Sequence, residues 1–122
     1  MDKYKPLEEI GFSANEAKVY LTLLEHGAMN GYNAAKYSGV ARAIVYDVLN
    51  RLAMKKCVDI IEAEPKLYAA VEYDRLIKEI KDDYNEKIIS AEKMLSQTAS
   101  KNIEKQYVVN ISDFELLIGE AK

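Results

Sequence analysis

Between Arg42 and Arg51 the chain places Arg42, Ala43, Tyr46, Asp47, Asn50 and Arg51 at spacings that gather them on one side of an α-helix. A guanidinium can pair with O6 and N7 of guanine together, an Asn amide with adenine, and a carboxylate can accept from N4 of cytosine. The chemistry these groups offer is hydrogen bonding to base edges or phosphates. Arg42 is assigned to a guanine or a phosphate. Asp47 has a second option, because Arg51 lies one helical turn away. An ion pair between them is the preferred reading, since an unpaired acid beside phosphate is costly.

Bond-making chemistry finds no support. The single histidine, His26, sits in the last turn of a predicted helix, where a cation is favoured by the helix dipole. No second histidine and no cysteine pair is available to form a metal site with it. Ser-His and Cys-His arrangements fail on the same ground. Cys57, the one cysteine, falls in a predicted strand and reads as a buried side chain. It cannot form an internal disulfide, which fits a reducing compartment. No phosphate loop occurs, so neither an enzyme nor a bound cofactor is expected.

The elements that must position the outward face are two helices and a turn. Asn30 is a candidate N-cap for a short first helix in which Ala34 and Ala35 permit close packing. Ser38-Gly39-Val40 makes the turn, with Gly39 able to adopt the left-handed conformation that ends a helix. The second helix, from Ala41, carries Val45, Val48, Leu49 and Leu52 inward. This is the layout of a helix-turn-helix, whose second helix lies in the DNA major groove. Upstream, residues 3 to 10 predict a short helix stopped by Gly11. Ser13 and Glu16 then have capping-box spacing for a helix running to His26, with Ala17, Tyr20, Leu21 and Leu24 as its buried face.

Downstream, residues 57–62 and 66–71 are short β-prone runs separated by Ala63-Glu64-Pro65. Two strands directly after a helix-turn-helix form the wing of a winged helix. Its tip carries Glu62 and Glu64 against Lys66, and Tyr68 is read as core in preference to a contact residue. Tyr73, Ile77, Ile80, Tyr84, Ile88, Ala91, Leu95 and Thr98 then step by 4, 3, 4, 4, 3, 4 and 3 residues, nearly a heptad seam. A helix of about 30 residues would span about 45 Å, beyond what a small domain covers. Its seam calls for a partner, most simply the same helix of a second chain, against the alternative of a helix folded back on its own domain. Gln106–Asn110 looks strand-like, and Ser112 and Glu115 repeat the capping-box spacing. The expected architecture is mainly α with a small β-wing: a winged helix-turn-helix at 1–72, a long coiled-coil-like dimerising helix at 73–104, and at 105–122 the start of a truncated C-terminal effector domain.

With 122 residues and 49% apolar content, the chain can bury a real core. No apolar run approaches membrane-spanning length and no signal peptide is evident, so a cytoplasmic protein without a membrane partner is expected. The net charge is −3. Residues 1–72 hold nine Lys/Arg and ten Asp/Glu, 9 − 10 = −1, which lowers the expected non-specific affinity for DNA without excluding binding by local clusters.

The sequence resembles the TrmB family of transcriptional regulators. The likeness lies in Ile10-Gly-Phe-Ser-Ala-Asn-Glu-Ala-Lys-Val-Tyr-Leu-Thr-Leu-Leu-Glu-His-Gly27, in Ala35-Lys-Tyr-Ser-Gly-Val-Ala-Arg-Ala-Ile-Val-Tyr-Asp-Val-Leu49, in Arg51-Leu52 and in Pro65-Lys-Leu-Tyr68. It covers residues 7 to 71 closely and the long helix more loosely. It implies a dimeric winged helix that binds a palindromic operator, with a sugar or other small-molecule effector taken only by a C-terminal domain mostly absent here. The chain departs from the family pattern at Ala41, Ala43 and Ile44, where Pro, Ser or Thr, and Lys are usual. The usual Lys-Gly-Leu at the helix end is Lys55-Lys56-Cys57.

The residues expected to meet DNA are thus Asn30, Tyr32, Lys36, Arg42, Ala43, Tyr46, Asn50, Arg51, Lys55, Lys56 and Lys66. Those on the first helix and the lysines would hold backbone phosphates and set register. The competing reading is a winged helix turned protein-protein interaction module without specific DNA binding, which the acidic balance and the lost polar residues make plausible.

Overall fold

The computed structural model describes residues 2–109. It runs α1 (Lys5–Glu9), α2 (Ala14–His26), α3 (Gly31–Ser38), α4 (Arg42–Met54), β1 (Val58–Ile61), β2 (Leu67–Ala70) and α5 (Tyr73–Val109). This is the expected mainly helical fold with a small two-stranded wing and a long final helix. The chain divides into two units, Met1–Glu79 and Ile80–Lys122.

The capping box forms as the spacing predicts. The Glu16 N–H donates to Ser13 Oγ at 3.1 Å and the Ser13 N–H to Glu16 Oε1 at 2.8 Å, so two otherwise orphaned donors start α2. The buried arc of α2 is wider than expected and turned: Val19, Thr22 and Leu23 are buried with Ala17 and Tyr20, whereas Leu24 is 43% exposed and Leu21 half-buried. Because α3, α4 and β2 all pack on α2, its core face is set by three neighbours and not by a single apolar stripe. The Tyr20 hydroxyl donates to the Val71 carbonyl at 2.7 Å, and its ring meets Phe12 edge-on at 5.9 Å. Burial, with a smaller push from Cys57, raises the Tyr20 phenol to about 12, so it stays a donor to Val71.

Two features fix the helix-turn-helix. Gly39 adopts φ 77° and ψ 4° and its N–H donates to the Ala35 carbonyl, closing α3. Val45, Val48, Leu49 and Leu52 are at most 1% exposed, and each such aliphatic side chain contributes about 1.5–3 kcal/mol by leaving water. After α4 the backbone turns through Lys56, whose φ of 64° makes it the one non-glycine with positive φ among the described residues. Cys57 is buried, as read, and burial pushes its thiol up to about 11.

β1 and β2 pair antiparallel from Val58↔Ala70 to Ile61↔Leu67. A further pairing was not anticipated: Met29 exchanges two backbone hydrogen bonds with Tyr68, at 3.1 and 2.8 Å. The stretch before α3 is thereby stitched to the wing, and Tyr68, 5% exposed, is core.

α5 enters with Leu76 buried and Arg75 Nη1 3.8 Å from Asp59 Oδ2 of β1. Residues 81–101 are exposed throughout. The strand expected at Gln106–Asn110 is corrected over 106–109, because α5 continues to Val109; Asn110 lies outside the described residues. A growing helix gains one hydrogen bond for each residue added, and the penalty for Tyr and Val within it is only a few tenths of a kcal/mol each, on the order of 0.5. The capping-box spacing at Ser112 lies outside the described residues.

Candidate nucleic-acid interface

The exposed side of α4 is an outcome of its packing. With Val45, Val48, Leu49 and Leu52 buried, the opposite stripe at 43, 47, 50 and 54 faces water, flanked by Tyr46 on one side and Ile44 and Arg51 on the other. Ala41 precedes the helix without a side-chain cap, so the first N–H groups of α4 are unclaimed by a side chain.

α3 supplies the adjoining surface. Tyr32 is 53% exposed and the Arg42 guanidinium lies 4.9 Å from its ring centroid, a cation–π contact linking the two helices. Lys36 is exposed, with its amine 5.7 Å from the Tyr37 ring. Asn30 does act as the N-cap, since its Oδ1 accepts the Asn33 N–H at 2.9 Å; only its amide NH₂ remains to meet a phosphate. Gly31 is buried where a Cβ would collide with the Tyr46 ring. That absence of a side chain lets α3 and α4 approach and holds Tyr46 at the surface, 46% exposed.

The basic groups fall into two sets. Arg51 Nε is 3.5 Å from Asp47 Oδ2, the expected ion pair, and 4.0 Å from Glu16 Oε2. Lys55 Nζ donates to Glu16 Oε1 at 2.8 Å. Glu16 is 2% exposed. Its burial raises the pKa, but the Lys55 hydrogen bond, the Ser13 N–H and the charges of Lys55 and Arg51 outweigh that and hold the carboxyl below its ordinary value. Arg51 and Lys55 are therefore engaged in the protein. Lys36, Lys56 and Lys66 are exposed and form no ion pair among the described residues. Lys66 lies between Pro65 and β2, in a wing tip that also carries exposed Glu62 and Glu64.

Some surface residues escaped the sequence reading. Met54, 83% exposed, extends the 43–47–50 stripe by one more turn, a spacing that could have identified it. Tyr37, 55% exposed, stacks on His26 at 5.3 Å, a contact across the α2–α3 turn that no local spacing encodes. Of the seam residues on α5, Tyr73, Ile77, Tyr84, Ile88, Ala91 and Leu95 are exposed and Ile80 is half-buried. Ile88, Ala91 and Leu95 line one apolar strip with Ala99.

Among the described residues no group of acids, histidines or cysteines is placed to hold a metal ion, and no helix is long and apolar enough to cross a membrane. The arrangement can hydrogen-bond and pack against a groove.

A family model described as sugar-specific transcriptional regulator TrmB matches residues 7–74. The HTH-type sugar sensing transcriptional regulator TrmBL1 of Pyrococcus furiosus is 38% identical over 77 residues, 63% of this chain and 23% of its own. The protein YrhO of Bacillus subtilis is 28% identical over 116 residues, 95% of this chain and 42% of its own. The chain thus spans under half the length of either curated relative. Among solved structures, TrmBL2, described as an archaeal chromatin protein with a novel mode of DNA binding, superposes with a TM-score of 0.77 at 20% identity, covering 84% of this chain and 41% of that one. YusO of Bacillus subtilis superposes at 0.51 with 17% identity, covering 84% and 81%. These two likenesses establish the fold.

Proposed function

The chain belongs to the TrmB family of winged helix-turn-helix transcriptional regulators, and we propose that it binds a palindromic operator in double-stranded DNA as a homodimer, in the cytoplasm. One observation carries the proposal: α4 buries one face completely and presents Arg42, Ala43, Tyr46, Asp47 and Asn50 on the other, beside exposed Tyr32 and Lys36 of α3. A helix so held has the width and the donors to enter the major groove. Lys36, Lys56 and Lys66, with the Asn30 amide, would hold phosphates on either side. The exposed seam of α5 supports pairing of two copies, which would set two α4 helices on two half-sites. A sugar response, in line with the sugar-specific description of the matched family, would reside in residues beyond the winged helix.

The exposed Tyr32, Tyr37 and Met54, together with the acidic wing tip, favour a second reading, a module that docks on another protein. Selecting bound duplexes from a random pool, with Arg42→Ala as control, separates the two. A selected motif with dyad symmetry, weakened in the variant, supports the operator reading. No enrichment over the input pool sinks it.

A further inference from the structure

Three of the cations around α4 have partners within the protein. Arg42 lies against the Tyr32 ring, Arg51 pairs with Asp47, and Lys55 is held by Glu16. Carbon is displayed beside them. The first turn of α4 exposes Ala43 and Ile44, the latter by 43%, and Met54 is 83% exposed further along. An isolated exposed isoleucine needs no explanation. Here it adjoins Ala43 at the end of the helix that a winged helix-turn-helix inserts first.

Neither side chain can donate or accept a hydrogen bond, so a base edge that meets them must offer an apolar group. In the major groove only thymine does, through its C5 methyl. We infer that the Ala43–Ile44 turn reads thymine methyl groups, so that each half-site carries thymine opposite the start of α4. This inference rests on the DNA-binding reading above and names what that surface selects. Burying one methyl between apolar side chains corresponds to about a fourfold gain in affinity.

The test starts from duplexes selected by the protein. Each thymine is replaced in turn by deoxyuridine, which removes the methyl and leaves pairing unchanged. Affinity should fall about fourfold at one or two positions per half-site, and the loss should vanish in an Ala43→Ser, Ile44→Asn double variant, which cannot reward the methyl. If duplexes are selected yet every uracil replacement is silent, the inference is overturned while DNA binding stands. A methyl dependence that persists undiminished in the double variant also overturns it, since the methyls are then read elsewhere. Failure to select any duplex overturns both readings together.

Discussion

The guanidinium of Arg42, at the start of α4, lies 4.9 Å from the ring centroid of Tyr32 on α3. The contact joins the two helices at the surface proposed to face DNA, and it orients a cation that would otherwise sample many rotamers. Arg42→Ala should weaken duplex binding by about 1–3 kcal/mol if Arg42 reads guanine. If it holds a phosphate, the loss should instead be even across sequences, and the slope of log affinity on log salt should fall by about one. Fluorescence anisotropy over a salt series distinguishes the outcomes. Tyr32→Leu should reproduce part of the loss, and Tyr32→Phe little of it, because the ring face is what Arg42 meets.

Glu16→Gln should destabilise the fold by about 1–2 kcal/mol. The loss stays below that of a fully buried pair because Lys55 and Arg51 are about half exposed and partly screened. The pH dependence has a definite sign. A carboxyl held below its ordinary value of 4.5 stabilises the fold in full above that value, and the contribution is lost as pH falls through the lower folded value. Urea titrations should therefore show the gap between wild type and Glu16→Gln at pH 7 narrowing in strong acid. A gap that is constant with pH would assign the effect to packing.

Lys56→Gly should stabilise the protein by about 1 kcal/mol. A φ of 64° costs a residue with a Cβ roughly 1–2 kcal/mol, and glycine gives back part of the gain through its freer unfolded chain. Thermal unfolding should show a rise of a few degrees, and a fall would mean that the lysine side chain supplies compensating contacts.

Gly31→Ala should cost about 1 kcal/mol or less, below the overpacking range of a closed core, because the new methyl meets only the far end of the half-exposed Tyr46 side chain, which can turn aside. Paired with Tyr46→Ala, which vacates that space, the same substitution should cost far less. Additive losses in the double variant would place the strain in the backbone.

Ile88→Asp with Leu95→Asp should yield a monomer at micromolar concentration if α5 pairs two copies, since both side chains are exposed on the apolar strip. Sedimentation of the wild type as a monomer would remove the dimer altogether.

The features legible in the sequence are those encoded within a turn or two. The Ser13–Glu16 box, the Gly39 cap, the apolar period of α4 and the Asp47–Arg51 pair each rest on steps of four positions or fewer. What was not legible joins distant segments. Glu16 reads as a capping residue, and nothing near it announces Lys55, 39 residues on. The Met29–Tyr68 pairing likewise spans the whole helix-turn-helix, and Leu23 displaces Leu24 from the core because three neighbours define the face of α2. At Gln106–Val109, β-prone side chains were outweighed by the helix already running into them.

The Ser13 N–H and the Lys55 ammonium both end on one atom, Glu16 Oε1. The first turn of α2 and the first residue after α4 are therefore latched by a single oxygen. Withdrawal of the Glu16 carboxylate frees both donors at once, so fraying at the start of α2 also frees Lys55 to swing outward. Amide exchange at Ser13 would report, from a site remote in sequence, how often the carboxylate lets go of that lysine.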